Sequence, residues 1–230
     1  MCDGEALASP LLYGPAMMAG RSGWKLCMDL ALAYIDDHLI VADKPAALLS
    51  VPGRAAENQD CVVTRLQVDY PDALTVHRLD MVTSGLLLHG RGKAMQVALS
   101  KLFEARQVHK RYIAVVEGEL AQASGEILLP LRCDWDNRPR QMVDFELGKP
   151  AHTRWRLLGH EGGCSRVLLE PVTGRSHQLR LHLASIGHPI VGDVMYGARP
   201  APRVSLHASE LGFVHPQTGL PLQLRSHAPF

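Results

Sequence analysis

The sequence predicts an α+β domain, and three observations carry that prediction. Among 230 residues, 20 glycines and 15 prolines interrupt the chain too often for a long helical bundle, and only 5% of residues are aromatic. Short apolar runs of strand length alternate with stretches of helical periodicity. With 47% hydrophobic and 20% charged residues, the chain has a globular composition and the length to bury one sizeable core.

Residues 1–25 mix Gly, Ala, Pro, Met and Ser without a period, which predicts a flexible N-terminal extension ahead of one domain over 26–230. Regular structure is expected to begin near Leu32. AYIDDHLIVADKP reads as two strands around a turn at Asp36 and Asp37, the second ended by Pro45. A Pro-Gly turn at Pro52 and Gly53 follows. Asp60 is the expected N-cap of a helix through Val63, Leu66 and Tyr70, stopped by Pro71. GLLLHGR, Gly85 to Arg91, reads as a buried strand. Met95, Ala98, Leu99, Leu102 and Phe103 lie at helical spacing, opposite Lys93, Lys101 and Glu104.

Further strands are expected at Arg111 to Glu117, Glu126 to Leu131, His152 to Leu158 and Ser165 to Glu170, with a hairpin turn at Gly162 and Gly163. Ser176 is the expected cap of a last helix, with Leu179, Leu183 and Ile186 buried and Gly187 as its stop.

Five cysteines at positions 2, 27, 61, 133 and 164, with no CxxC pair, indicate neither a disulfide framework nor a zinc knuckle. The N-terminus carries acids where a secretory signal carries cations, and no apolar run approaches the length of a membrane span. A soluble, cytoplasmic protein is expected. The formal net charge of +1 conceals an asymmetry: residues 1–76 hold 5 Lys and Arg against 10 Asp and Glu, and residues 77–230 hold 19 against 13. The basic later part points weakly to a polyanionic partner.

Two clusters carry chemistry. VHRLDMVTSGLLL, Val76 to Leu88, sets His77, Arg78, Asp80, Thr83 and Ser84 just before a buried strand, where polar groups are paired or functional. TGRSHQLRLH, Thr173 to His182, opens a helix and places His177 and Arg180 one turn apart. By themselves these residues also fit ordinary structural roles: a salt bridge or turn cap for Asp80, a solvated helix face for Arg180. Two other patterns are declined. His177 and His182 are five apart, not the four of a metal-binding helix pair, and HGRGKA lacks the glycine spacing and the Ser or Thr of a phosphate loop. No metal and no nucleotide cofactor are expected.

Together with KRYIAVVEG, Lys110 to Gly118, these stretches resemble the three signatures of the RluA family of pseudouridine synthases in order and spacing. The resemblance continues through DKPAALLSVPGR, CDWDNRPRQ, GKPAHTRW and GHPIVGDVMYG, and so spans almost everything after Tyr34. It is strongest to the short members without an appended S4 RNA-binding domain. It implies a single pseudouridine-synthase domain: a central mixed, largely antiparallel sheet flanked by helices, with the active site in a cleft. The implied activity is conversion of uridine to pseudouridine in structured RNA, at position 32 of tRNA anticodon stem-loops and position 746 of 23S rRNA, chemistry that needs no cofactor; a monomer is expected, though the sequence does not fix the oligomeric state.

The same resemblance implies that Asp80 is the attacking carboxylate, that Tyr112 lines the uracil pocket and that Arg180 pairs with Asp80. His77, Arg78, Lys110, Arg111, Arg175, His177 and Gln178 become candidate RNA contacts, Arg78 by intruding into the base stack. Two other classes compete: an RNA-binding module that chaperones folding without catalysis, and a glycosidic-bond hydrolase. A hydrolase commonly needs paired carboxylates, and Asp80 has no acidic neighbour in the signature stretches.

Overall fold

The computed structural model describes residues 25–27 and 30–230. The expected extension over 1–25 thus lies outside the described residues, apart from Lys25, which opens strand β1 (Lys25–Cys27). β2 (Leu30–Ile35) and β3 (Leu39–Lys44) form the predicted hairpin. Its turn is built by Asp36, whose carboxylate accepts hydrogen bonds from the amides of His38 and Leu39 at 2.7 and 2.8 Å.

Helix α1 (Val62–Asp69) starts one residue later than expected. Cys61 is its cap: the Cys61 amide donates to Thr64 Oγ1 at 3.1 Å, while Asp60 instead makes a two-pronged ion pair with Arg65. A side chain already held by a guanidinium is not free to cap. β4 (Ala73–Thr75) leads to the buried β5 (Ser84–Arg91), and α2 (Gly92–Glu104) buries Met95 and Leu99 as its periodicity predicts.

β6 (His109–Glu117) is followed by β7 (Ser124–Ile127), and then by a separate hairpin of β8 (Leu131–Cys133) and β9 (Gln141–Val143). The strand expected from Glu126 to Leu131 is therefore broken, at a point where Pro130 offers no amide to a ladder. β10 (Thr153–Glu161) and β11 (Cys164–Pro171) meet at Gly162 and Gly163, both at positive φ, as expected for that turn. Helix α3 (Gln178–Ser185) is capped at His177 and not Ser176, and Ile186 is 37% exposed where burial was expected. β12 (Leu206–Val214) and β13 (Pro221–Arg225) close the chain.

Eleven strands make one mixed sheet with the main order β1-β2-β3-β5-β12-β6-β11-β10-β7. Every pairing in it is antiparallel except β5 with β12, which joins the two halves. Gly85 lies on this seam at φ +109°, and a Cβ there would fall 2.3 Å from the Ala208 carbonyl oxygen. The glycine of the TSG stretch is thus required by close approach of two backbones. Tyr112, on β6 and paired with the same Ala208 from the other side of β12, packs against the apolar clusters of both halves. Among the described residues no helix is long and apolar enough to cross a membrane.

Candidate active site

The loop between β4 and β5 carries Asp80 to the sheet seam, opposite the start of α3. Alternation along β6 then decides which signature residues can join it. Lys110 and Tyr112 line a cavity of about 1060 Å³, whereas Arg111 points to the other face and pairs with Glu170 at 2.7 Å and Glu210 at 3.2 Å. The same cavity is lined by His77, Arg78, Asp80, Arg175, His177, Gln178 and Arg180.

Arg180, on α3, is almost fully buried and Asp80 is partly open to solvent. Its Nη1 lies 3.5 Å from Asp80 Oδ2. The stronger contact is elsewhere: Asp193, fully buried, accepts from Arg180 Nε at 2.6 Å and from Nη2 at 2.8 Å. The Tyr196 ring adds a face contact 5.1 Å from the guanidinium carbon. The Asp193 carboxylate raises the pKa of Arg180 against the opposing effect of burial.

His177 occupies a left-handed backbone position, φ 51°, which is uncommon for a residue other than glycine. Its Nδ1 is 2.8 Å from the Tyr196 hydroxyl, which also accepts the Gln141 amide at 2.9 Å. With that hydroxyl donating to Nδ1, the ring proton sits on Nε2, the nitrogen 3.9 Å from Asp80. Burial lowers the pKa of His177 and the charge of Asp80 opposes this. The imidazole therefore presents a polar edge to the carboxylate and not a full cation.

Lys44 approaches the same loop from β3. Its ammonium, wholly buried, donates to the carbonyls of Leu48 (2.6 Å), Pro45 (2.9 Å) and Met81 (3.0 Å). Burial pushes its pKa down to about 8, and Asp80 pulls it back up. Ser50 Oγ donates to the Leu79 carbonyl at 2.8 Å and accepts the Leu79 amide at 3.1 Å. Asp80 is thus held between two anchored neighbours, Leu79 and Met81.

The remaining candidates divide by what they already touch. His77 accepts the Leu88 amide at 3.0 Å and stacks on Phe103, and burial lowers its pKa to about 3, so it is a neutral acceptor. Gln178 makes four hydrogen bonds, to Thr173, Arg175, His152 and Thr153. It fixes the loop that presents Arg175 and His177. Arg78 and Arg175 are exposed on the cavity wall, and Lys110 lies over the Phe103 ring. Burial raises the Tyr112 pKa strongly, with Asp80 adding to it, so the phenol is neutral at physiological pH.

Sequence reading assigned no role to Lys44, Ser50, Asp193 or Tyr196. Asp193 and Tyr196 lie within GHPIVGDVMYG, but nothing in a single sequence pairs them with a helix that ends eight and eleven residues earlier. Trp135 and Arg138, from the β8–β9 turn, also line the cavity and were not singled out. Among the described residues no group of three or more His, Cys, Asp or Glu is placed to hold a metal ion.

A carboxylate, a buried guanidinium held beside it and a phenol thus share one cavity, a set of groups suited to an enzyme site. The family model "RNA pseudouridylate synthase" matches residues 38–185, a span that holds Asp80, Tyr112 and Arg180 and stops short of Asp193 and Tyr196. The chain is 48% identical over 207 residues to the dual-specificity RNA pseudouridine synthase RluA of Yersinia pestis, covering 87% of this chain and all of that one. The protein of the same name from Vibrio cholerae is 52% identical over 190 residues, covering 80% of this chain and 77% of its own. The solved structure of human RNA pseudouridylate synthase domain containing 1 superposes with a TM-score of 0.73 at 28% identity, over 87% of this chain and 84% of that one.

The chain belongs to the RNA pseudouridylate synthase family. It is an enzyme that isomerises uridine in RNA.

Proposed function

We propose that this chain modifies uridines in hairpin loops of two RNA classes, tRNA and 23S rRNA, at position 32 of anticodon stem-loops and position 746 of the rRNA. It acts in the cytoplasm, as a monomer. The names of the relatives, each a dual-specificity enzyme, support the paired target. A stacked uridine is out of reach of a carboxylate at the bottom of a cleft, so the target is a loop nucleotide that leaves the stack on binding.

The observation that carries the reading is the placement of Asp80 within one cavity with Arg180 at 3.5 Å and Tyr112 on its wall. Asp80, beside the guanidinium, engages the nucleoside as the bond from N1 to C1′ breaks. The uracil turns in the cavity and C5 joins C1′. Addition to the base, attack on C1′ and support of an oxocarbenium all use the same carboxylate in contact with the nucleoside. Tyr112 stacks on the ring and its hydroxyl relays the proton that C5 gives up. The rearrangement conserves every atom and electron of the substrate, so no redox partner is required.

Arg78 enters the stack vacated by the uridine, and Lys110 and Arg175 meet phosphates. His177 completes the proposed contact set, while His77 and Gln178, already bonded within the protein, shape the wall that RNA meets, and Arg111, ion-paired on the opposite face, is not part of it. Incubation of a synthetic anticodon stem-loop with the protein, followed by mapping of pseudouridine, tests the reading. Pseudouridine at position 32 supports it; release of free uracil, which isomerisation never gives, contradicts it.

A further inference from the structure

Trp135 sits at the tip of the β8–β9 hairpin and is 64% exposed, although an indole usually buries a large apolar area. It nonetheless lines the cavity that holds Asp80. The Arg138 guanidinium lies 5.0 Å from the ring centroid and is tied to the Trp135 carbonyl at 3.2 Å. The loop beneath is braced by backbone bonds from Asp134 to Arg140, from Asn137 to Asp134 and from Arg140 to Asn137. Tyr196 anchors the hairpin through the Gln141 amide, and the same hydroxyl meets His177. A fixed, solvent-facing aromatic plane is thereby coupled to the Arg180 side of the site.

We propose that Trp135, with Arg138 stacked on it, is a platform for a nucleobase adjacent to the uridine presented to Asp80. This rests on the reading of the substrate given above. A loop whose target base has been extruded leaves its neighbours unstacked, and an aromatic face replaces that lost stacking regardless of base identity. The loop from Asp134 to Arg140 carries two acids and two arginines and is formally neutral, so stacking and not net charge is the attraction. The platform sets where the RNA sits, while Asp80 does the chemistry.

The test uses the full chain and an anticodon stem-loop. Stacking of one base changes affinity by about tenfold or more on alanine substitution. Trp135→Ala should weaken RNA binding by that factor with the salt dependence of binding unchanged, because no phosphate contact is lost. Trp135→Phe, which keeps a ring, should recover most of the affinity. Unmodified RNA should quench the fluorescence of the wild type by an amount missing from Trp135→Phe, which isolates this indole from the other two.

Replacing the nucleotides around the target one at a time by abasic residues should reveal one position at which Trp135→Ala costs nothing more. Unchanged affinity in Trp135→Ala, equal quenching in both proteins, or no abasic position that absorbs the effect would each overturn the platform. Failure of the wild type to form pseudouridine would instead overturn the substrate reading, whatever Trp135 does.

Discussion

Arg180 gives Asp193 two hydrogen bonds, of 2.6 and 2.8 Å, and meets Asp80 with a single nitrogen at 3.5 Å. The buried carboxylate therefore takes two of the guanidinium's five N–H donors in a bidentate pair and fixes its plane. Asp80 is left beside a positive charge without being locked to it, a state suited to a carboxylate that must engage substrate.

Asp193→Asn should lower stability by about 3 kcal/mol, the lower end for breaking a buried ion pair, since the amide keeps part of the hydrogen bonding. It should also slow single-turnover isomerisation at least tenfold while RNA affinity stays near wild type. Urea unfolding and rapid-quench kinetics measure the two separately. A variant that is destabilised yet fully active would confine Asp193 to holding the fold.

Tyr112→Phe retains the ring that packs between the two halves of the core and removes only the hydroxyl. The rate of isomerisation should fall by about a hundredfold or more, the range of a lost proton-transfer group, with little change in RNA affinity. Equal losses in rate and affinity would assign the hydroxyl to RNA binding.

Acid should destabilise this fold through its buried histidines. His77 and His89 have folded pKa values lowered by burial to about 3 and about 4. The unfolded chain therefore takes up protons below pH 6.5 that the folded chain refuses. The sign follows: stability contributed by the neutral rings is complete above 6.5 and falls as pH drops toward the folded values, by about 1.4 kcal/mol per unit for each ring. His89, fully buried in β5 away from the cavity that holds Asp80, offers a probe separate from the site. His89→Leu should flatten the stability profile between pH 6.5 and 4 in denaturant titrations, and an unaltered slope would refute the assignment.

Arg78 stands two residues before Asp80, exposed on the cavity wall. Flipping a base costs a few kcal/mol, which a planar guanidinium partly offsets by filling the stack. Arg78→Ala should slow reaction on a structured hairpin by about tenfold or more, and much less on an RNA whose uridine is already unstacked. Arg78→Lys should keep the salt-dependent affinity but not the hairpin rate. Uniform slowing on both RNAs, in single-turnover assays, would make Arg78 a general phosphate contact.

The sequence displayed those parts of the fold whose signals are local. The Asp36 turn, the apolar run of β5 and the α2 stripe are each legible within a dozen residues. β12 was not recognised because its buried faces include His207 and Ser209, polar residues made acceptable by distant partners: Ser84 and Ser226 for His207, and the Arg111 carbonyl for Ser209. The same holds at the site. Asp80, Tyr112 and Arg180 stand in motifs, whereas Lys44 and Asp193 act through contacts that exist only once β3, α3 and the Asp80 loop converge. Arg111 shares a motif with Tyr112, but strand alternation turns it to the opposite face.

The most direct test of the account is Asp80→Asn assayed on an anticodon stem-loop, with turnover and RNA binding measured on one preparation. The substitution is nearly isosteric and removes the charge that engages the nucleoside. The account predicts wild-type affinity and melting temperature with pseudouridine formation below about one per cent of wild type, a barrier increase of roughly 3 kcal/mol or more. Pseudouridine at more than a few per cent of the wild-type rate, from protein shown free of wild type and of deamidation back to Asp, would contradict it.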